Sequence, residues 1–142
     1  MILNHINYGA LYLREPRLYR LIRRYYKLFS DQYVDEADRF FDRHVREMME
    51  AGYGEKYRSY FSYCIQQLYL KAYETYFTLR QLLFAILYVQ LLMMFDLVDY
   101  LQRKGPAPIE RQAEILMLCE QGIRHNPMLT KNLFAIIREE FL

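Results

Sequence analysis

Tryptophan is absent from these 142 residues, cysteine occurs twice, histidine three times, and glycine and proline together only nine times. So little Gly and Pro excludes a turn-dense β architecture. Cys64 and Cys119 lie 55 residues apart and form no CxxC pair. That excludes a disulfide framework and points to a reducing, cytoplasmic setting. The histidines His5, His44 and His125 are scattered, and no Glu-x-x-His pair exists to supply a di-iron carboxylate bundle. There is no Gly-rich phosphate loop, GxSxG or HExxH. The expectation is therefore a non-enzymatic protein with no cofactor and no metal. The opening "MILNHINYGALYLREP" has no basic n-region, and Asn4, His5 and Asn7 interrupt its apolar residues. It does not read as a secretory signal.

What is present is apolar and aromatic. Hydrophobic residues make up 54% and charged residues 25%, with fifteen Tyr and nine Phe. That composition belongs to a globular chain, long enough for one domain to bury a core without staples. The net charge of +2 hides an imbalance: residues 1–30 hold six Arg/Lys against one Glu, the remainder thirteen against sixteen acids. The positive excess sits in one segment.

Punctuation divides the chain into helices. Pro16 opens one at its tolerated first turn, running to Phe29, with a new N-cap in Ser30–Gln32. "VDEADRFFDRHVREMMEA" forms the next, its acids gathered near the positive end of the dipole, and Gly52 and Gly54 end it. Residues 55–104 then contain no Gly or Pro. A single rod of that length would extend ~75 Å, too long for a compact domain of this size. A break is expected in "FTLRQL", where Thr78 and Gln81 match a capping box and Phe77 with Leu82 a hydrophobic staple. Gly105 and Pro106 stop the following helix; another covers Ile109–His125. Asn126 and Pro127 cap and start a last one, ending near Phe141. Residues 1–14 read as a short helix or an extended arm. On the helix after Gly54, Tyr57, Tyr60, Phe61, Cys64, Ile65, Leu68, Tyr69 and Ala72 share one side.

The segment "LLFAILYVQLLMMF" has one polar residue, Gln90. Only fifteen residues separate Arg80 from Asp96, about 22 Å of helix, too short for a ~30 Å bilayer core. No transmembrane insertion is expected. A helix apolar on every side must be covered on every side. Either neighbouring helices enclose it, which is the preferred reading, or one face packs on a second copy. Met93 and Met94 read as gap-filling core.

The sharpest surface feature is "PRLYRLIRRYYKLF". Leu18, Leu21, Ile22, Tyr25, Leu28 and Phe29 occupy one arc; Arg17, Arg20, Arg23, Arg24 and Lys27 another, with Tyr19 and Tyr26 on a border between them. Such a stripe suits a phosphate backbone with stacked bases, an anionic surface or an acidic protein. It also suits a solvated face paired with Asp35, Glu36, Asp38 and Asp42 of the following helix. Asp96 and Asp99 are read as ion-pairing residues at the edge of the core, with Arg103 or Lys104 in reach, and the two cysteines as packing residues.

The expected architecture is all-α: residues 1–142 as one domain, a compact bundle of five to seven helices around a central apolar helix at about 79–104. The expected function is regulatory binding of a protein partner through Tyr/Arg-rich helix faces, as a homodimer. The alternative is binding of DNA or RNA by the basic stripe. A third reading is a small-ligand pocket among the Met and aromatic residues of the central helix.

Overall fold

A computed structural model of the chain describes residues 8–29, 34–75 and 78–141, except for the side chains at 10, 28–29, 34–38, 71–75, 78 and 141. These residues form α1 (Tyr8–Arg14), α2 (Pro16–Phe29), α3 (Val34–Met48), α4 (Gly54–Thr75), α5 (Thr78–Arg103), α6 (Ile109–Cys119) and α7 (Pro127–Phe141). Wide π-type turns at Met49–Tyr53 and Glu120–Arg124 continue α3 and α6. No strand occurs among the described residues, and the all-α bundle expected from periodicity is the fold.

Helix ends follow local chemistry. Pro16 begins α2, and the Leu11 carbonyl accepts the Glu15 N–H at 2.8 Å where α1 closes onto it. Gly52 takes φ +102°, a conformation that stops α3 and that a side chain would disfavour. Gly54 is instead right-handed (φ −58°, ψ −39°) and opens α4, so only the first of the two glycines is a stop. At the end of α5 the left-handed residue is Lys104 (φ 59°), one position before the expected glycine. The Gly105 N–H then donates to the Tyr100 carbonyl at 3.2 Å, which satisfies a carbonyl of the last turn. Asn126 Oδ1 accepts the Leu129 N–H at 3.2 Å and Pro127 follows, the expected cap and first-turn proline.

The long stretch without Gly or Pro is two helices, α4 ending at Thr75 and α5 starting at Thr78. They pack against each other as an antiparallel hairpin, with Lys56 and Tyr57 facing Asp96. The capping box and staple assigned to this turn, the cap at Ser30–Gln32 and residues 1–7 lie outside the described residues.

One core runs through the molecule, centred on α5: Leu91, Leu92, Phe95, Leu97 and Val98 are each at most 2% exposed. Leu18, Leu21 and Ile22 of α2, Ile115 and Leu118 of α6, and Leu129 and Leu133 of α7 complete it. Enclosure of α5 is only partial, which corrects the preferred reading of the sequence. Contacts from α2 and α6 reach its C-terminal half, at Gln102 and Asp99, and α7 reaches Arg80. The side bearing Leu79, Leu82 and Ile86 stays open, with exposures of 58%, 40% and 39%. Tyr69 on α4, assigned by its wheel position to the apolar side, is exposed for the same reason. These four residues lie toward the hairpin turn, beyond the helices that cover the other end.

By length and composition alone, Leu79–Arg103 is sufficient to cross a membrane, more than the fifteen residues between Arg80 and Asp96 implied. Asp96 and Asp99, both within this segment, are buried in the bundle.

Candidate functional site

The basic stripe of α2 lies between α1 on one flank and α6 on the other, because Leu18, Leu21, Ile22 and Tyr25 turn the opposite arc into the core. On the α1 flank, tyrosines from two helices interlock. Tyr12 meets Tyr19 at 5.3 Å between ring centroids, Tyr8 meets Tyr19 at 6.3 Å and Tyr26 at 6.4 Å, all edge to face. The Tyr8 and Tyr26 hydroxyls are 2.8 Å apart. Burial and that hydrogen bond push the Tyr8 hydroxyl well above the usual tyrosine range, so it stays protonated. Tyr12 remains 56% exposed. Tyr8 and Tyr12, four residues apart in "YGALYLR", complete a face that the border tyrosines of α2 only half announced.

On the other flank, Arg17, Arg20 and Arg24 line a cleft of about 170 Å³ with Arg111 and Glu114 of α6. The stripe divides by what neutralises it. Arg17 Nε is held by Glu15 Oε1 at 2.9 Å, with Glu114 3.9 Å from its Nη1. Arg24 bonds the neutral Gln102 at 3.3 Å and so keeps its charge uncompensated there. Arg20 and Arg23, both exposed, have no ion pair or hydrogen bond among the described residues. Lys27 is exposed beside them. The expected neutralisation by α3 rests on Asp35, Glu36 and Asp38, whose side chains lie outside the described residues, while Asp42 forms no ion pair among those described. Arg111 is the cation that the sequence reading missed, because only the return of α6 along α5 brings it beside α2.

Asp96 and Asp99 form a second charged centre, where α5 meets α4 and α6. Asp96 is 1% exposed, and its Oδ2 accepts from Lys56 Nζ and the Tyr57 hydroxyl, each at 2.8 Å. Its Oδ1 has no hydrogen-bond partner among the described residues. Burial raises its pKa, and Lys56 and Tyr57 only partly oppose that. Asp99 bridges Arg103 Nε at 2.8 Å, the expected i,i+4 pair, and Arg111 Nε at 2.9 Å. These contacts tie α4, α5 and α6 together with both carboxylates engaged by cations.

A third centre gathers on the turn after α6. Glu120 accepts from the Tyr60 hydroxyl at 2.6 Å and from Arg124 Nε at 2.8 and 2.7 Å. Burial pushes the Cys64 thiol up to about 11 and raises the Cys119 thiol well above its ordinary value, so both are inert packing groups at neutral pH. His44 pairs with Glu47 at 3.0 Å, and no cluster of potential metal ligands occurs among the described residues. No protein-family model matches the chain, and no curated protein or solved structure shows significant similarity to it.

Proposed function

We propose that the chain is a non-enzymatic, cytoplasmic interaction protein that holds an acidic protein partner on the Tyr/Arg face of α1 and α2 and works as a two-fold homodimer. The observation that carries this reading is the uncompensated part of the stripe: Arg20, Arg23 and Arg24 stand without an acid among the described residues, beside an interlocked, half-exposed set of tyrosines. Tyrosine and arginine offer large rigid contact area and bidentate bonding to carboxylates, the properties that concentrate binding energy at interfaces. A partner segment rich in Asp and Glu complements the charge.

Assembly with a second copy rests on α5. Leu79, Leu82, Ile86, Val89 and Met93 follow the three-four spacing of a coiled-coil seam, and the first three are open to solvent. This reading keeps α5 in the bundle rather than a bilayer, since Asp96 and Asp99 are paired by groups from α4 and α6.

A second reading, nucleic-acid binding, is favoured by the cleft in which Arg17, Arg20, Arg24 and Arg111 converge, a place where a phosphate can sit. The tyrosines engage one another edge to face, which leaves few open ring faces for bases and ranks this reading second. Fluorescence anisotropy separates the two. A labelled Glu-rich peptide and duplex and single-stranded oligonucleotides are titrated at 50 and 200 mM salt, with Arg20→Glu/Arg24→Glu alongside. Peptide binding lost in the double mutant is the expected result. Oligonucleotide binding with a steep salt slope, approaching about −4.5 for five phosphate contacts, transfers the function to nucleic acid. Absence of both removes the site.

A further inference from the structure

Apart from the stripe of α2, a second cationic centre lies on another part of the surface. Arg80 at the start of α5, Arg124 and His125 on the turn after α6, and Lys131 on α7 line an open cavity of about 570 Å³ whose apolar wall includes Phe84 and Phe134. That volume is within the ~300–1,000 Å³ of small-ligand sites. Arg80 and Phe84 are distant in sequence from residues 124–134, and the packing of α7 on α5 brings the two groups together.

Two features distinguish it from a solvated patch. First, its cations are positioned. The Arg124 side chain is only 10% exposed and its Nε is clamped by both oxygens of Glu120. Its Nη2 donates to the Tyr63 hydroxyl at 3.0 Å, and Nη1 makes no hydrogen bond among the described residues. The guanidinium of Arg80 lies 4.5 Å from the centre of the Phe134 ring, a cation–π contact that holds it over the apolar wall. Second, charge and apolar surface are adjacent. Glu120 compensates Arg124, while Lys131, exposed at the rim, has no acid partner among the described residues. The positive end of the α7 dipole opens beside the cavity, with Pro127 in the first turn.

We propose that this cavity binds a small organic anion: a carboxylate or phosphate head joined to an aromatic or short acyl body. The head meets Lys131, Arg80 and the free edge of Arg124; the body lies on Phe84 and Phe134. An inorganic anion would leave the aromatic wall unused, and a neutral apolar molecule would leave the charge of Lys131, which no acid among the described residues offsets, without a counter-ion. The site is separate from the stripe of α2, and its occupancy does not depend on what that face binds.

The test is a titration of the 15N-labelled chain with phenyl phosphate, benzoate, inorganic phosphate and benzyl alcohol, followed by amide chemical shifts. Phenyl phosphate or benzoate is expected to shift Thr130, Lys131 and Phe134 saturably. Inorganic phosphate and benzyl alcohol are each expected to bind at least about tenfold more weakly, the loss of one charge-assisted or one apolar contact. Whichever of the two aryl anions binds more tightly identifies the head. Lys131→Glu, a change at an exposed position that leaves the core untouched, is expected to cost about tenfold or more. The proposal is overturned if neither aryl anion produces saturable shifts at these residues, if the strongest shifts fall on α2, or if Lys131→Glu binds as well as the parent.

Discussion

Asp96 is the residue whose surroundings differ most from what its sequence position suggests. In the sequence it stands three before Asp99, near the end of an apolar run, and reads as the point where a helix leaves the core. In the fold it is inside, with one oxygen bonded twice and the other unpartnered among the described residues. Burial raises its pKa above the ordinary 3.8. The folded state therefore holds the proton more tightly than the unfolded chain, and the group's contribution favours folding most at low pH. That contribution declines as pH rises from about 4 through the raised value. Urea denaturation of the parent and Asp96→Asn across pH 4 to 7 isolates it, since the variant has no such titration. The stability of the parent relative to the variant is expected to fall with rising pH; a relative stability that grows over this range would mean a depressed pKa. Ion-pairing of Asp99 with Arg103 was legible, because i,i+4 neighbours on a helix meet whatever the fold. The Lys56 and Tyr57 contacts of Asp96, forty residues away, were not.

At the scale of elements, the turn after α6 shows how a helix boundary can be decided from outside. Periodicity carries a helix through to His125, but the α-helix ends at Cys119 and the chain widens over Glu120–Arg124. Gly122 sits there against the α1–α2 junction: a Cβ would lie 3.0 Å from Glu15 Cβ and 3.0 Å from Leu18 Cδ2. Both neighbours are buried, so neither moves cheaply. Gly122→Ala is expected to destabilise the fold by about 1–3 kcal/mol, the usual cost of overpacking, read from the midpoint of urea unfolding. A neutral or stabilising effect would show that the junction yields. By contrast the Asn126 cap and the Pro16 start came from local signals, and the structure has them at the expected residues.

At the scale of the whole molecule, the open side of α5 is the least satisfied surface. Its exposed leucine and isoleucine side chains carry no flanking charge along the seam, where Leu83, Ala85, Gln90 and Leu92 occupy the adjoining positions. A two-fold axis would cover it with itself. Sedimentation equilibrium is expected to give twice the chain mass for the parent and the chain mass for Ile86→Arg. The substitution adds charge at a position 39% exposed, so the monomer should keep its helical circular dichroism. A monomeric parent at micromolar concentration would remove the dimer and leave the seam to another partner.

The sequence by itself determined the helix class, most helix boundaries, the hairpin break and the composition of the stripe. Each of these depends on contacts within a few residues: a proline at N1, an Asx cap, an apolar period. Only the tertiary structure decided which cations stand free. Glu15 neutralises Arg17, whereas Arg20 and Arg24 meet Arg111 across a cleft that exists because α6 returns along α5. It also decided that α5 is uncovered on one side and that Arg80, Arg124 and Lys131 share a cavity. Exposure and charge balance are properties of which helices lie side by side, and pairings between residues forty or more positions apart leave no local periodicity to read.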